Sequence, residues 1–271
     1  MAIITISRGT YSGGKAVAEK LAQKLNHPCL SREMLIQKAT QLFDLKEGQL
    51  TDAMEEAPTI FRGDVPISTA NVNFVRAALL QQIENLELVY HGLAGDLLLR
   101  GVKKMLRVRT IASREYRINA AMEDHNIDHA HASEMVDTLD RKRDKWAIEV
   151  LGTEWSDPSL YDVAINLNSI SLDSAVDTIA QMSRLDEFTV DDTTTRSMND
   201  IILSSNVWAA LTMNRPTRAV QVQITADDGH VAIHGEVGSR KVSEAIIDIA
   251  RNVNGVKEVT DNLRVGLAWV W

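Results

Sequence analysis

Near the amino terminus the run Gly9-Thr10-Tyr11-Ser12-Gly13-Gly14-Lys15 has the residue types and the spacing to hold an anion. Gly9-x-x-x-x-Gly14-Lys15 is the pattern of a phosphate-binding loop. Glycines let backbone N–H groups curl around phosphate oxygens, a following helix adds the positive end of its dipole, and a lysine supplies a mobile charge for the outer phosphates. A glycine-rich turn beside a lysine also occurs as a plain connection, so the flanking elements decide between the two readings. Lys15 is followed by Ala16 and Val17. No hydroxyl therefore stands where such loops usually offer one to magnesium, and binding without efficient transfer is one expected outcome.

The elements that must position this loop are legible on both sides. Ile3, Ile4 and Ile6 form an apolar run without strict alternation, as in a strand covered on both faces of a parallel sheet. From Ala16 the period changes, with Val17, Ala18, Leu21, Ala22 and Leu25 on one helical face and Glu19, Lys20, Gln23 and Lys24 on the other. Ser31 to Phe43 reads as a helix with Met34, Leu35, Ala39 and Leu42 inward. Residues 47–68 are polar, contain Pro58 and Pro66, and read as a mobile cover over a substrate. Helical spacing returns over 71–85. Strands are expected at 86–92, 106–111 and 163–167, with a helix from Ser171 striped by Ala175, Val176, Ile179 and Met182. Strands alternating with helices predict a parallel sheet whose ligands gather at the strands' carboxyl ends, where the glycine loop sits.

Residues 186–199 are rich in Asp, Thr and Ser, which predicts a linker, set at 188–197 between domains at 1–187 and 198–271. Beyond it comes a helix (Met198, Ile201, Ile202, Trp208, Leu211), then a strand (Val220, Val222, Ile224). Asp227-Asp228-Gly229 turns into a second strand (Val231, Ile233). A helix over 242–253 stops at Asn254-Gly255, and a last strand holds Val256, Val259, Leu263 and Val265. The expected class is thus α/β, a P-loop parallel sheet flanked by helices, with a second, smaller α+β domain.

At 271 residues, two domains with cores of their own are affordable, and the net charge of −8 argues against a general nucleic-acid binder. A lone cysteine, Cys29, excludes an intramolecular disulfide and fits a reducing compartment. With no signal segment and no membrane-length apolar run, the expectation is a cytoplasmic protein without a transmembrane segment.

Two resemblances sharpen this reading. Ile4-Thr5-Ile6-Ser7-Arg8, Ser12-Gly13-Gly14 and Ala18-Glu19-Lys20-Leu21-Ala22 resemble the cytidylate kinase-like family of P-loop nucleoside monophosphate kinases. So do 108–112, Arg114-Glu115-Tyr116-Arg117-Ile118, Asp140-x-x-Arg143 and 160–166, whereas 41–71 matches nothing. The resemblance implies transfer of a phosphoryl group from ATP, with Mg2+, to CMP, dCMP or a related acceptor. It implies Lys15, Arg141 and Arg143 as catalytic residues, and Gly9, Thr10, Tyr11, Ser12, Gly13, Gly14, Lys15, Ala16, Arg114 and Arg117 around the nucleotide. Arg8, Arg32 and Asp140 would meet the substrate. Guanidinium forks match phosphate oxygens, although each arginine reads equally well as a solvated partner of Glu115, Asp140 or Asp144. Two departures stand out: Ser31-Arg32 replaces an acidic helix start, and Leu93 follows Gly92 where an arginine is expected. The donor side thus looks better preserved than the acceptor side.

The second domain resembles a BON domain through Val220-x-Val222, 229–237, Ala245 to Ala250 and 255–265. That implies a regulatory or interaction module facing a protein, an ion, a small ligand or a lipid surface. Two function classes stay open: a nucleoside monophosphate kinase-like enzyme, and a nucleotide-responsive regulator with little or no catalysis. His125, His129 and His131 with Asp124 and Asp128 invite a metal reading, but no fourth ligand has suitable spacing, so no metal site is assigned. The apolar end 267–271 is expected to pack on the first domain or on another subunit, as in a homo-oligomer.

Overall fold

The computed structural model describes residues 2–55, 67–83, 87–92, 95–218 and 220–266. The chain forms two compact units that part between Val190 and Asp191, residues 101–103 counting with the second. Leu93 and the tail 267–271 lie outside the described residues.

The first unit is built on a parallel sheet in the order β2-β3-β1-β4-β5, with β1 (Ile3–Arg8), β2 (Cys29–Ser31), β3 (Leu88–Gly92), β4 (Met105–Ile111) and β5 (Val163–Asn166). Strand β1 is central, which explains its apolar run: Ile3, Ile4 and Ile6 are buried between helices on the two faces. The register pairs Ser7 with Gly92 on β3 and with Arg109 on β4. All strands being parallel, Arg8, the chain after Ser31, and His91-Gly92 reach one edge of the sheet.

Around this sheet lie α1 (Gly14–Leu25), α2 (Arg32–Phe43), α3 (Glu47–Glu55), α4 (Ile67–Leu80), the short α5 (Gly95–Leu98), α6 (Arg114–His125), α7 (His129–Leu151) and α8 (Leu172–Met182). The inward face of α1 (Val17, Ala18, Leu21, Ala22) packs on β1 and on Ala175, Val176 and Ile179 of α8, as the periodicity predicts.

Two expectations are corrected. Helix α2 buries Leu35, Ile36, Ala39 and Phe43, while Met34 and Leu42 are 46% and 48% exposed, so its inward face is turned by about one residue from the expected stripe. Residues 47–55 are no loose cover: α3 buries Leu50, Ala53 and Met54, and Trp146 of α7 donates its indole N–H to the Ala53 carbonyl at 3.0 Å. Residues 56–66 lie outside the described set. Cys29, expected as a core residue before the second helix, is half-buried against the core of α1, β1 and α8, and it opens edge strand β2, which leads into α2.

The second unit runs α9 (Asp192–Met213), β6 (Val222–Asp227), β7 (His230–Val237), α10 (Arg240–Arg251) and β8 (Glu258–Val265), with sheet order β6-β7-β8. Residues 192–197, read as linker from their polarity, are the first turns of α9. Asp191 caps this helix by accepting from the Thr194 amide, and Thr194 and Met198 are buried. Strands β6 and β7 are antiparallel through Asp228 (φ 45°) and Gly229 (φ 86°), the left-handed pair a tight hairpin requires. Strand β8 runs parallel to β7, so α10 must cross over between them. Val207, Leu211, Val231, Ile233, Ile246 and Ala250 close this core.

Candidate functional site

The glycine loop occupies the turn from β1 to α1. Its base is tied to β4: the Gly9 amide donates to the Thr110 carbonyl at 3.2 Å, and the Ser12 hydroxyl lies 3.0 Å from Gly9 O and 3.0 Å from Thr110 Oγ1. Helix α1 starts on Gly13 (φ 78°) with no side-chain cap, whereas Ser31, Ser113, Asp128 and Ser171 cap α2, α6, α7 and α8. The first amides of α1 have no helical acceptor before them, so the loop presents uncompensated donors. The Lys15 side chain is 68% exposed, its ammonium 3.9 Å from Glu19.

Facing this loop along the sheet edge is a cluster of arginines. Arg8, at the end of β1, meets Glu33 at 3.2 Å, and Arg32 reaches Glu33 at 3.3 Å and Glu55 of α3 at 2.7 Å. Arg32 Nε is buried and makes no hydrogen bond. Arg143 extends from α7 and donates from Nη1 to Thr10 Oγ1 at 2.8 Å and to the Arg8 carbonyl at 3.2 Å. Burial first, then the charges of Arg32 and Arg8, bring the Arg143 pKa down to about 10. Burial would raise Glu33. Its own backbone amide, Arg8 and Arg32 outweigh that and bring it down to about 2. His91 is 2% exposed with Nδ1 unbonded; burial, then Arg8, pushes its pKa down to about 4, so it is neutral. Crowded like charges, held by two carboxylates and a neutral imidazole, form a site where a further anion lowers the energy.

The other sequence candidates are placed differently. Arg114 pairs with Asp137 and Arg117 with Asp140, each at 2.7 Å, fastening α6 to α7. Arg141 is exposed and donates to Thr138 Oγ1 at 3.2 Å. Ser31, one of the two departures, caps α2 by accepting from the Met34 amide. The histidines are dispersed: His129 meets Glu115, His131 meets Asp128, and His125 Nε2 lies 2.6 Å from the Tyr11 hydroxyl. Among the described residues no group of three or more His, Cys, Asp or Glu side chains is arranged to hold a metal ion.

Sequence reading missed Glu33, Glu55, His91 and Thr110. Glu33 adjoins Arg32 and could have been suspected. The other three come close to the loop or its arginines only through strand register and the docking of α3.

In the second unit a cavity of about 650 Å³ opens between α9 and the turns after β6 and α10, lined by Asn199, Asp200, Asn206, Asp228, Asn254 and Lys257 among others. Its walls are tied together by the Asp228 amide donating to Asp200 at 2.9 Å and by Lys257 on Asp228 at 2.9 Å. No helix among the described residues is long and apolar enough to cross a membrane.

Comparison with known proteins places these features. The model of the cytidylate kinase-like family matches residues 3–169, and that of the BON domain matches 199–266. A crystal structure of an uncharacterised protein from Eubacterium ventriosum ATCC 27560 is similar at 22% identity and TM-score 0.52, covering 67% of this chain and 98% of its own. Shikimate kinase from Bacteroides thetaiotaomicron follows at 12% identity and TM-score 0.42, covering 68% and 99%. Shikimate kinase from Acinetobacter baumannii, solved with shikimate, is 13% identical with TM-score 0.40, covering 67% and 92%. Only the first of these likenesses bears on this chain, and it bears on the fold alone. Among curated proteins none matches.

Proposed function

The chain belongs, through residues 3–169, to the cytidylate kinase-like family and carries a BON domain over 199–266; from that premise we propose that it binds ATP at the glycine loop and passes phosphate to a nucleoside monophosphate, CMP or dCMP or a related acceptor. The observation that carries the proposal is the meeting of the uncapped glycine start of α1 with Arg8, Arg32 and Arg143 at one sheet edge. Phosphoryl transfer needs two anions brought into line and positive charge around the moving group, with no covalent step by the protein.

In this reading the amides of 13–16 and the Lys15 ammonium hold the donor phosphates, and Arg143, next to Thr10, stabilises the transferred charge from α7. Arg8 and Arg32 take the acceptor phosphate, exchanging part of their contact with Glu33 and Glu55. Arg141 would close from its exposed position. Arg114 and Arg117 would first have to leave Asp137 and Asp140, and a substrate contact by Asp140 requires the same release. Magnesium does not fit the loop in the usual way: Ala16 has no hydroxyl, that of Ser12 is turned to Gly9 and Thr110, and that of Thr10 accepts from Arg143. The cationic work is therefore assigned to Lys15 and the arginines. The cytoplasm, where ATP is abundant, is the proposed location.

A second reading, a nucleotide-responsive regulator, is favoured by the same lack of a metal hydroxyl and by the polar cavity of the BON domain. There the domain would bind an ion, small ligand, lipid surface or protein and report the state of the first. A coupled assay for ADP release with ATP, magnesium and a panel of monophosphates separates the two. Turnover with CMP or dCMP that disappears in Lys15→Ala supports the kinase; calorimetric ATP binding without turnover of any monophosphate supports the regulator.

A further inference from the structure

Tyr11 is the one residue of the glycine loop whose conformation and side chain disagree with its type. Its φ of 53° lies in the left-handed region, as does that of Gly13 at 78°. Tyr11 is the third residue of a turn closed by the Ser12 amide on the Gly9 carbonyl at 3.1 Å, and with Gly13 it sets the course of the chain into the first amides of α1. Glycine adopts that conformation freely, but a tyrosine is strained in it and stays only where its surroundings hold it. The surroundings here belong to the α6–α7 hairpin. The Tyr11 hydroxyl lies 2.6 Å from His125 Nε2 and 3.4 Å from Met135 Sδ. The imidazole stands edge-on to the phenol ring, centroids 5.8 Å apart at 89°. The ring packs on the cluster of Ile118, Ala121, Ala132 and Val136. The preceding residue, Thr10, leans on the same hairpin through Arg143.

We propose that Tyr11 is a positioning residue of the phosphate-binding loop, kept left-handed by the anchorage of its side chain to His125 on α6, so that the hairpin sets the loop's affinity for polyphosphate. The inference rests on the nucleotide reading given above. It adds that a side chain outside the loop, His125, acts on the anion through Tyr11 without touching it. The imidazole accepts from the phenol as its Nδ1–H tautomer, and the Met135 thioether offers the phenol a weaker second acceptor. Asp124 approaches the same His125 nitrogen at 3.4 Å.

The test is calorimetric titration of the full chain with ATP and with inorganic triphosphate, alongside thermal melting. Tyr11→Phe, which keeps the ring and removes the hydroxyl, and His125→Ala should each weaken binding of both probes about 3- to 10-fold, the worth of one hydrogen bond. The double variant should be no weaker than the poorer single one, because both remove the same link. His125→Gln, whose amide can still meet the phenol, should recover most of the affinity. In a Tyr11→Gly background, where no anchor is needed, His125→Ala should change nothing further. Variants that melt lower yet bind with unchanged affinity would reduce the contact to packing and overturn the proposal, as would fully additive losses. Failure of the wild-type chain to bind either probe would instead bring down the nucleotide reading, and this inference with it.

Discussion

Gly14 and His91 show how single residues are constrained by what surrounds the loop. A Cβ on Gly14 would stand 2.5 Å from Thr110 Oγ1 and 2.9 Å from Arg8 Cγ. Gly14→Ala must therefore displace the threonine that braces Ser12. We expect a loss of about 1–3 kcal/mol in urea unfolding, by overpacking, together with weaker ATP binding. His91 makes a prediction in pH. Its ordinary value of 6.5 falls to about 4 in the folded chain, so the unfolded chain takes up the proton first. Its contribution is complete above pH 6.5 and is lost as pH falls toward 4, about 2 kcal/mol of it between about pH 7 and about pH 5. Glu33, with an ordinary value of 4.5 brought to about 2, acts in the opposite charge sense but with the same direction, contributing above pH 4.5 and failing as pH drops toward 2. The two windows barely overlap. Urea midpoints of wild type and His91→Asn should converge as pH is lowered to about 5; an unchanged gap would show that His91 does not titrate in this window.

At the level of elements, the hairpin and the long α7 repay attention. The β6–β7 turn needs left-handed backbone at Gly229, and a Cβ there would also meet Lys257 Cγ at 2.8 Å. Gly229→Ala should destabilise the second unit by about 1–2 kcal/mol while leaving ATP binding in the first untouched, a combination checked by melting and calorimetry on one sample. Trp146 is fully buried and joins α7 to α3 by its single indole N–H. Trp146→Phe should cost about 1–3 kcal/mol, since the Ala53 carbonyl is left without that donor. If α3 helps place Glu55 on Arg32, the same variant should also raise the KM for the monophosphate more than that for ATP. Neither α3 nor β2 was visible in the sequence. Helix α3 is too short and too polar for its stripe of Leu50, Ala53 and Met54 to stand out, and β2 has no length over which to show a period.

For the molecule as a whole, the core clusters of the two units share no described residue, which predicts that ligand acts on one part at a time. Saturating ATP, at about 100 times its dissociation constant, should stabilise the first unit by about 2.7 kcal/mol. Differential scanning calorimetry should then show one transition shifted and the other fixed; a shift of both by the same amount would show that the units unfold together. What the sequence by itself determined was whatever is encoded locally. The strand-loop-helix from Ile3 to Leu25, the Asp-Gly hairpin and the change of design after the first unit all follow from period, glycine and turn chemistry acting over a few neighbouring residues. What only the tertiary structure decided was which charges meet. Arg8, Arg32 and Arg143 stand far apart in the chain and share one site because parallel strands end at one edge and α7 reaches back to it. Arg114 and Arg117, equally suggestive as letters, spend their charge on the facing helix. The physical reason is range: a backbone preference is settled within a turn or two, whereas a Coulomb interaction depends on distances that packing alone creates.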